Sequence, residues 1–110
     1  MVKQKSARLN TVFAALSDPT RRAIVEKLSH GECIVGDLAQ PFDMSLPAIT
    51  KHLNVLESAG LITRTRDGRM MRCALVPGPL GDAVDWMERM KVSWNDRFDR
   101  LEKFLKSTSH

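Results

Sequence analysis

The stretch Ser45-Leu46-Pro47-Ala48-Ile49-Thr50-Lys51-His52-Leu53-Asn54-Val55-Leu56-Glu57-Ser58-Ala59-Gly60 constrains the fold most, because it is punctuated at both ends. Ser45 is a capping residue, Pro47 is tolerated only in the first turn of a helix, and Gly60 is an expected stop. Between them the sequence predicts a helix of about four turns. At ~100° per residue, Leu46, Ile49, Leu53 and Leu56 fall in one sector and predict a core face. Pro47, Lys51, Asn54 and Ser58 point the other way, with Ala48 and Thr50 on the flanks. The outward face is therefore polar, small at its start, and carries a single cation.

Leu61–Arg66 and Arg69–Val76 are strand-like runs separated by Asp67-Gly68, a dipeptide favoured in two-residue hairpin turns. Closure around that dipeptide pairs Arg66 with Arg69 and Arg64 with Met71. Three arginines then crowd the tip, where like charges repel unless an anion sits there. Upstream, Thr11–Leu16 predicts a short first helix. Asp18-Pro19 opens a second, with Ile24, Val25 and Leu28 as its core stripe and Gly31 as its stop. Glu32–Val35 is a short β-type run, and Gly36–Gln40 leaves room for a turn or two of helix before Pro41.

Pro77-Gly78-Pro79 reads as a rigid break, followed by one long helix. Leu80, Val84, Met87, Lys91, Trp94, Phe98, Leu101 and Leu105 alternate steps of four and three, a heptad-like seam widened by Ala83, Met90 and Phe104. From Leu80 to Leu105 such a helix extends roughly 39 Å at ~1.5 Å per residue, so part of its stripe overruns the domain and calls for a partner helix. The expected dimer interface is Val12, Phe13, Leu16, Leu80, Val84, Met87, Trp94, Phe98, Leu101 and Leu105. A ligand cavity lined by Trp86, Met87, Met90, Trp94, Phe98 and Phe104 is the less favoured reading of the same stripe. The first few residues and Ser107–His110 read as frayed tails.

The order helix, helix, short strand, short helix, longer helix, hairpin, long helix is that of a winged helix-turn-helix: mainly α with a small β-hairpin. One domain covers 1–110, with a winged-helix core at 10–77 and a dimerisation helix at 79–106. Residues 36–40, the turn at 41–44 and the helix from 45 make the helix-turn-helix, whose second helix offers its N-terminal end to a major groove of ~12 Å width. The expected DNA contacts are Ser45, Pro47, Ala48, Thr50, Lys51 and His52 on that helix, with Arg64, Arg66, Arg69 and Arg72 on the wing. His52 fits packing or helix capping almost as well, and Arg21 and Arg22 fit support of the fold better than base reading. Charge agrees: the net +4 lies before residue 78, with eleven Lys/Arg against seven Asp/Glu, and the remainder balances at six against six.

Other classes find little support. The chain has no phosphate loop, no metal-ligand cluster and no Gly-x-Ser-x-Gly elbow, so neither an enzyme nor a cofactor is expected. No apolar run reaches the ~18 residues of a membrane span. The charged start MVKQKSARLN has no apolar signal core, so a cytoplasmic location is expected. The rival reading is a helical dimerisation module acting through protein contacts, with incidental hairpin charges. Cys33 and Cys73 are too few for a disulfide scaffold. They read first as inert buried thiols, although pairing of the first strand with the hairpin's second strand could bring them together as a redox sensor.

Phe13-Ala14-Ala15-Leu16-Ser17-Asp18-Pro19-Thr20-Arg21-Arg22-Ala23-Ile24-Val25, Ser45 through Ile62, and Arg66-Asp67-Gly68-Arg69 resemble ArsR/SmtB-type winged-helix repressors, with the likeness running from about 10 to 105. The resemblance implies a homodimeric bacterial repressor that binds an inverted-repeat operator in double-stranded DNA. Many such repressors release DNA when a metal binds a Cys-Val-Cys-Asp-Leu string. Aligning Gly36-Asp37-Leu38 on its end puts Ile34 and Gly36 at the two thiolate positions, with Cys33 outside both. The alternative site implied by the resemblance takes Asp and His from the terminal helices, yet 80–106 holds no His and His110 lies at the very end. No metal site is expected, and the sequence names no small-molecule effector.

Overall fold

The structure, a computed structural model, describes residues 2–108, with side chains from residue 7 onward. Its elements are α1 (Val2–Ala15), α2 (Pro19–Leu28), β1 (Cys33–Ile34), α3 (Val35–Ala39), a 3₁₀ turn (Gln40–Phe42), α4 (Leu46–Ser58), β2 (Ile62–Asp67), β3 (Met70–Leu75) and α5 (Pro77–Thr108). Asp43, left-handed at φ 48°, reverses the chain between the 3₁₀ turn and α4. The strands form one antiparallel sheet in the order β1-β3-β2. A single core joins Val12 and Ala15 of α1, Ile24 and Leu28 of α2, Leu38 of α3, Ile49, Leu53 and Leu56 of α4, Leu61, Ile62 and Cys73 of the hairpin, and Ala83 of α5.

The α1–α2 corner shows why Leu16-Ser17-Asp18-Pro19-Thr20-Arg21-Arg22 occurs as a unit. The last carbonyls of a helix have no partner within it. Here Arg21 donates from Nε to the Ala15 carbonyl at 2.6 Å, and Arg22 donates from Nη1 to the Leu16 carbonyl at 2.8 Å. Asp18 caps the next helix by accepting from the Arg21 amide at 3.0 Å, with Pro19 in its first turn. That amide bond, helped by the Arg21 charge, holds the Asp18 carboxyl below its usual range despite partial desolvation.

Several sequence expectations are corrected. The first helix starts at Val2 rather than beyond Asn10: Leu9, Val12 and Leu16 continue its apolar stripe, and Arg8 pairs with Asp82 of α5 at 3.6 Å. Pro77-Gly78-Pro79 opens α5 instead of breaking the chain, because amides in a first turn need no intrahelical acceptor and proline fits there. Leu46, at the first turn of α4, is 56% exposed and lies outside the core that Ile49, Leu53 and Leu56 enter. At the other end α5 includes Ser107 and Thr108, while Ser109 and His110 lie outside the described residues.

The hairpin register also differs. Asp67 pairs with Met70, so the turn is Gly68-Arg69, with positive φ at Gly68 (63°) and not at Arg69. A glycine first and an ordinary residue second is the type II′ pattern. Arg66 consequently faces Met71, Arg64 faces Cys73, and Thr65 faces Arg72. This register removes the Arg66–Arg69 pair without any anion.

Candidate nucleic-acid interface

The N-terminal half of α4 is the best-defined part of the site. Ser45 caps it, its hydroxyl accepting from the Ala48 amide at 3.3 Å. Ile49 and Leu53 anchor the inner face, leaving Ser45, Pro47 and Lys51 exposed and Ala48 and Thr50 half-exposed. Small groups at Ser45 and Ala48 keep much of that leading face low, with the exposed Leu46 at its edge.

His52 and Arg64 take roles other than those expected. The Arg21 guanidinium, which can only donate, lies with Nη1 3.3 Å from His52 Nδ1. Nδ1 is therefore the lone-pair nitrogen, and the Asp18 oxygen 3.8 Å away makes no hydrogen bond to it. His52 thus ties α4 to the α1–α2 corner. Arg64 crosses from β2 to α4, donating to Glu57 Oε1 at 2.8 Å and Oε2 at 3.2 Å and to Asn54 Oδ1 at 2.6 Å. Its side chain is 19% exposed, so it is a strut between wing and helix rather than a free cation. Periodicity alone assigns Asn54 and Glu57 no role, because their partner lies seven or more residues away on another element.

The charge–charge hydrogen bond with Arg64 lowers the Glu57 carboxyl and raises the Arg64 guanidinium. The stability from a lowered carboxyl is complete above the ordinary carboxylate range and is lost as pH falls through the lowered value. Arg64→Ala is expected to erase that part of the acid sensitivity. Urea midpoints of variant and wild type should converge on acidification, and parallel loss in both would contradict the strut.

Arg72 is held more loosely, by Asp67 at 3.0 Å and Glu32 at 3.6 Å, in exposed pairs that a phosphate can replace at little cost. Arg66 and Arg69 are exposed and, like Lys51, have no carboxylate partner among the described residues. Arg66 stands two positions beyond Arg64 on the same face of β2, and Arg69 forms the tip. The uncompensated charge of the hairpin is thus concentrated at its end.

A model described as a helix-turn-helix domain matches residues 16–65, which include all of α4 and Arg64 but stop short of Arg66, Arg69 and Arg72. The transcriptional repressor SdpR of Bacillus subtilis is 42% identical over 79 residues, 72% of this chain and 88% of SdpR. The chain belongs to the ArsR/SmtB family of helix-turn-helix repressors. A solved ArsR family transcriptional regulator is 40% identical with a TM-score of 0.75, covering 82% of this chain and 93% of that one. An ArsR-like regulator from Rhodococcus sp. RHA1 is 33% identical with a TM-score of 0.71, covering 90% and 93%. As an ArsR-family member the chain is a DNA-binding transcriptional regulator, and its winged helix with a long C-terminal helix is the fold of these relatives.

The soft-metal site of many family members does not fit this chain. Ile34 and Gly36 offer no donor at the start of α3, Cys33 faces Cys73 across the sheet, and no group of three or more metal-ligating side chains occurs among the described residues. No described helix is long and apolar enough to cross a membrane.

The expected dimer residues divide in two. Val12 is 1% exposed in the core, and Leu16 and Leu80 pack against it, so these three belong to the protomer interior. Phe13 stacks edge-on against Trp86 of α5, ring centres 5.7 Å apart, and remains partly exposed. Val84, Met87, Trp94, Phe98, Leu101 and Leu105 are 45–59% exposed. With 32 residues α5 runs about 48 Å, and its far half stands beyond the core.

Proposed function

We propose that two copies join through α5 into a cytoplasmic homodimer that binds an inverted-repeat operator and blocks transcription. The observation that carries this reading is the exposed seam of α5. A heptad-spaced row of large apolar groups is far more than a monomer leaves in water, and its self-complementary counterpart is the same row on a second copy. Such a dimer carries two α4 helices related by a twofold axis, as an inverted repeat requires.

In this reading Ser45, Pro47 and Ala48 admit the helix to the major groove, Thr50 reads a base edge, and Lys51 takes a phosphate. Arg66 and Arg69 contact the backbone or the adjacent minor groove, and Arg72 joins them by exchanging its carboxylates for phosphate. Arg69→Ala is expected to weaken matched and mismatched duplexes alike and to reduce the slope of log affinity against log salt by about 0.9. Thr50→Ala leaves that slope unchanged and narrows the difference between matched and mismatched duplexes by about 1–3 kcal/mol. Fluorescence anisotropy across a salt series measures both. Identical effects of the two substitutions on every duplex would refute the division of roles.

A further inference from the structure

Cys33 of β1 stands opposite Cys73 of β3, and Cys73 stands opposite Arg64 of β2. Directly opposed residues project from the same face, so Cys33, Cys73 and Arg64 form one row across the sheet. The end of that row grips α4 through Glu57 and Asn54. Opposed residues on antiparallel strands have Cα atoms about 4.5–5.5 Å apart, inside the ~4.4–6.8 Å range of a disulfide. Cys73 is fully buried and Cys33 half-buried; both are free thiols.

We propose that Cys33 and Cys73 are a redox pair, oxidised by hydroperoxides to a reversible cross-strand disulfide that weakens DNA binding through Arg64. The consequence for DNA rests on the function proposed above. Cys33 is the site of first attack, because it is the more accessible thiol, while burial pushes the Cys73 thiol up against the partly offsetting Arg64. The Cys33 sulfur attacks the peroxide, an S–O bond forms, the O–O bond breaks and an alcohol or water leaves, so Cys33 becomes a sulfenic acid. The Cys73 sulfur then attacks Cys33, the S–O bond breaks, and the hydroxyl departs as water with the Cys73 proton. Two thiols lose two electrons and the hydroperoxide gains them; a small dithiol reverses the change.

Bonding draws the two Cβ atoms from about 4.5–5.5 Å to about 3.8 Å, pulling β3 toward β1 and away from the position from which β2 and Arg64 hold α4. The closed loop runs from 33 to 73 and contains α4, β2 and the hairpin turn, which carry the proposed DNA contacts, together with Arg72.

The test treats the full-length protein with hydrogen peroxide or dithiothreitol. It measures titratable thiols under denaturing conditions, intact mass, and affinity for a duplex selected with the reduced protein. The expected result is loss of both thiols and of two hydrogens without covalent dimers. Affinity should fall about tenfold and return with dithiothreitol. Cys33→Ser should bind like the reduced protein and ignore peroxide, as should Cys73→Ala, which leaves no polar group in the core. Persisting thiols or an intermolecular bond would overturn the pairing, and a formed disulfide with unchanged affinity would overturn the switch. Failure of the reduced protein to bind any duplex would overturn the functional reading and the switch with it, whatever the mass shows.

Discussion

Trp94→Asp is expected to leave the protomer folded and to break the dimer. Trp94 is 59% exposed and touches Phe98 edge-on, ring centres 6.0 Å apart, so its removal opens no cavity in the core of Val12, Ile24 and Leu53. In the proposed dimer it occupies the middle of the α5 seam. Truncating a buried interface tryptophan costs about 2 kcal/mol or more, and an unpaired carboxylate in an apolar contact adds to that. Two copies meet in each dimer, so a loss of about 4 kcal/mol weakens association roughly a thousandfold. Sedimentation equilibrium should give the protomer mass, and circular dichroism should retain a cooperative melt. DNA affinity should collapse as well, because one half-site provides too few contacts. A variant still dimeric at micromolar concentration would remove α5 from the interface.

The second large effect concerns stability. Leu53 is fully buried in the inner face of α4, and Leu53→Ala is expected to cost about 2–5 kcal/mol by combined loss of burial and cavity formation. Domains of this size have about 5–15 kcal/mol in total, so the loss is visible as a lower urea midpoint with little change in slope. Leu46→Ala is the control, because this exposed position should change stability by no more than about 0.5 kcal/mol. The comparison is made at equal protein concentration, since association adds to the apparent stability. Equal costs at the two positions would return Leu46 to the core face where its helical phase placed it.

Leu46 illustrates what sequence alone reveals. Periodicity identifies the face of a helix but not where the neighbouring elements end, and the first turn of α4 projects past the core. The helix-turn-helix, the hairpin and the long last helix were legible because each rests on local punctuation: Ser45 and Gly60, the glycine of the turn, and the unbroken run after Pro79. Hairpin register was not, because Asp67-Gly68 and Gly68-Arg69 both supply a turn glycine. The choice depends on cross-strand partners, which favour Arg66 beside Met71 over Arg66 beside Arg69. The charged candidates separated for the same reason. Arg64 and Arg69 look alike in sequence, yet Glu57 and Asn54 on another element hold one and leave the other in water. Val12 lies inside the protomer rather than in the seam its helical phase suggests, because α1 and the near end of α5 already bury one another's stripes.

The most direct measurement is selection of bound duplexes from a random pool by the purified protein. The expected result is enrichment of an inverted repeat whose half-sites are centred about one helical turn, ~34 Å, or a multiple of it apart, as two α4 helices joined through α5 require. Enrichment of an isolated half-site, or of no sequence at low salt, would contradict it.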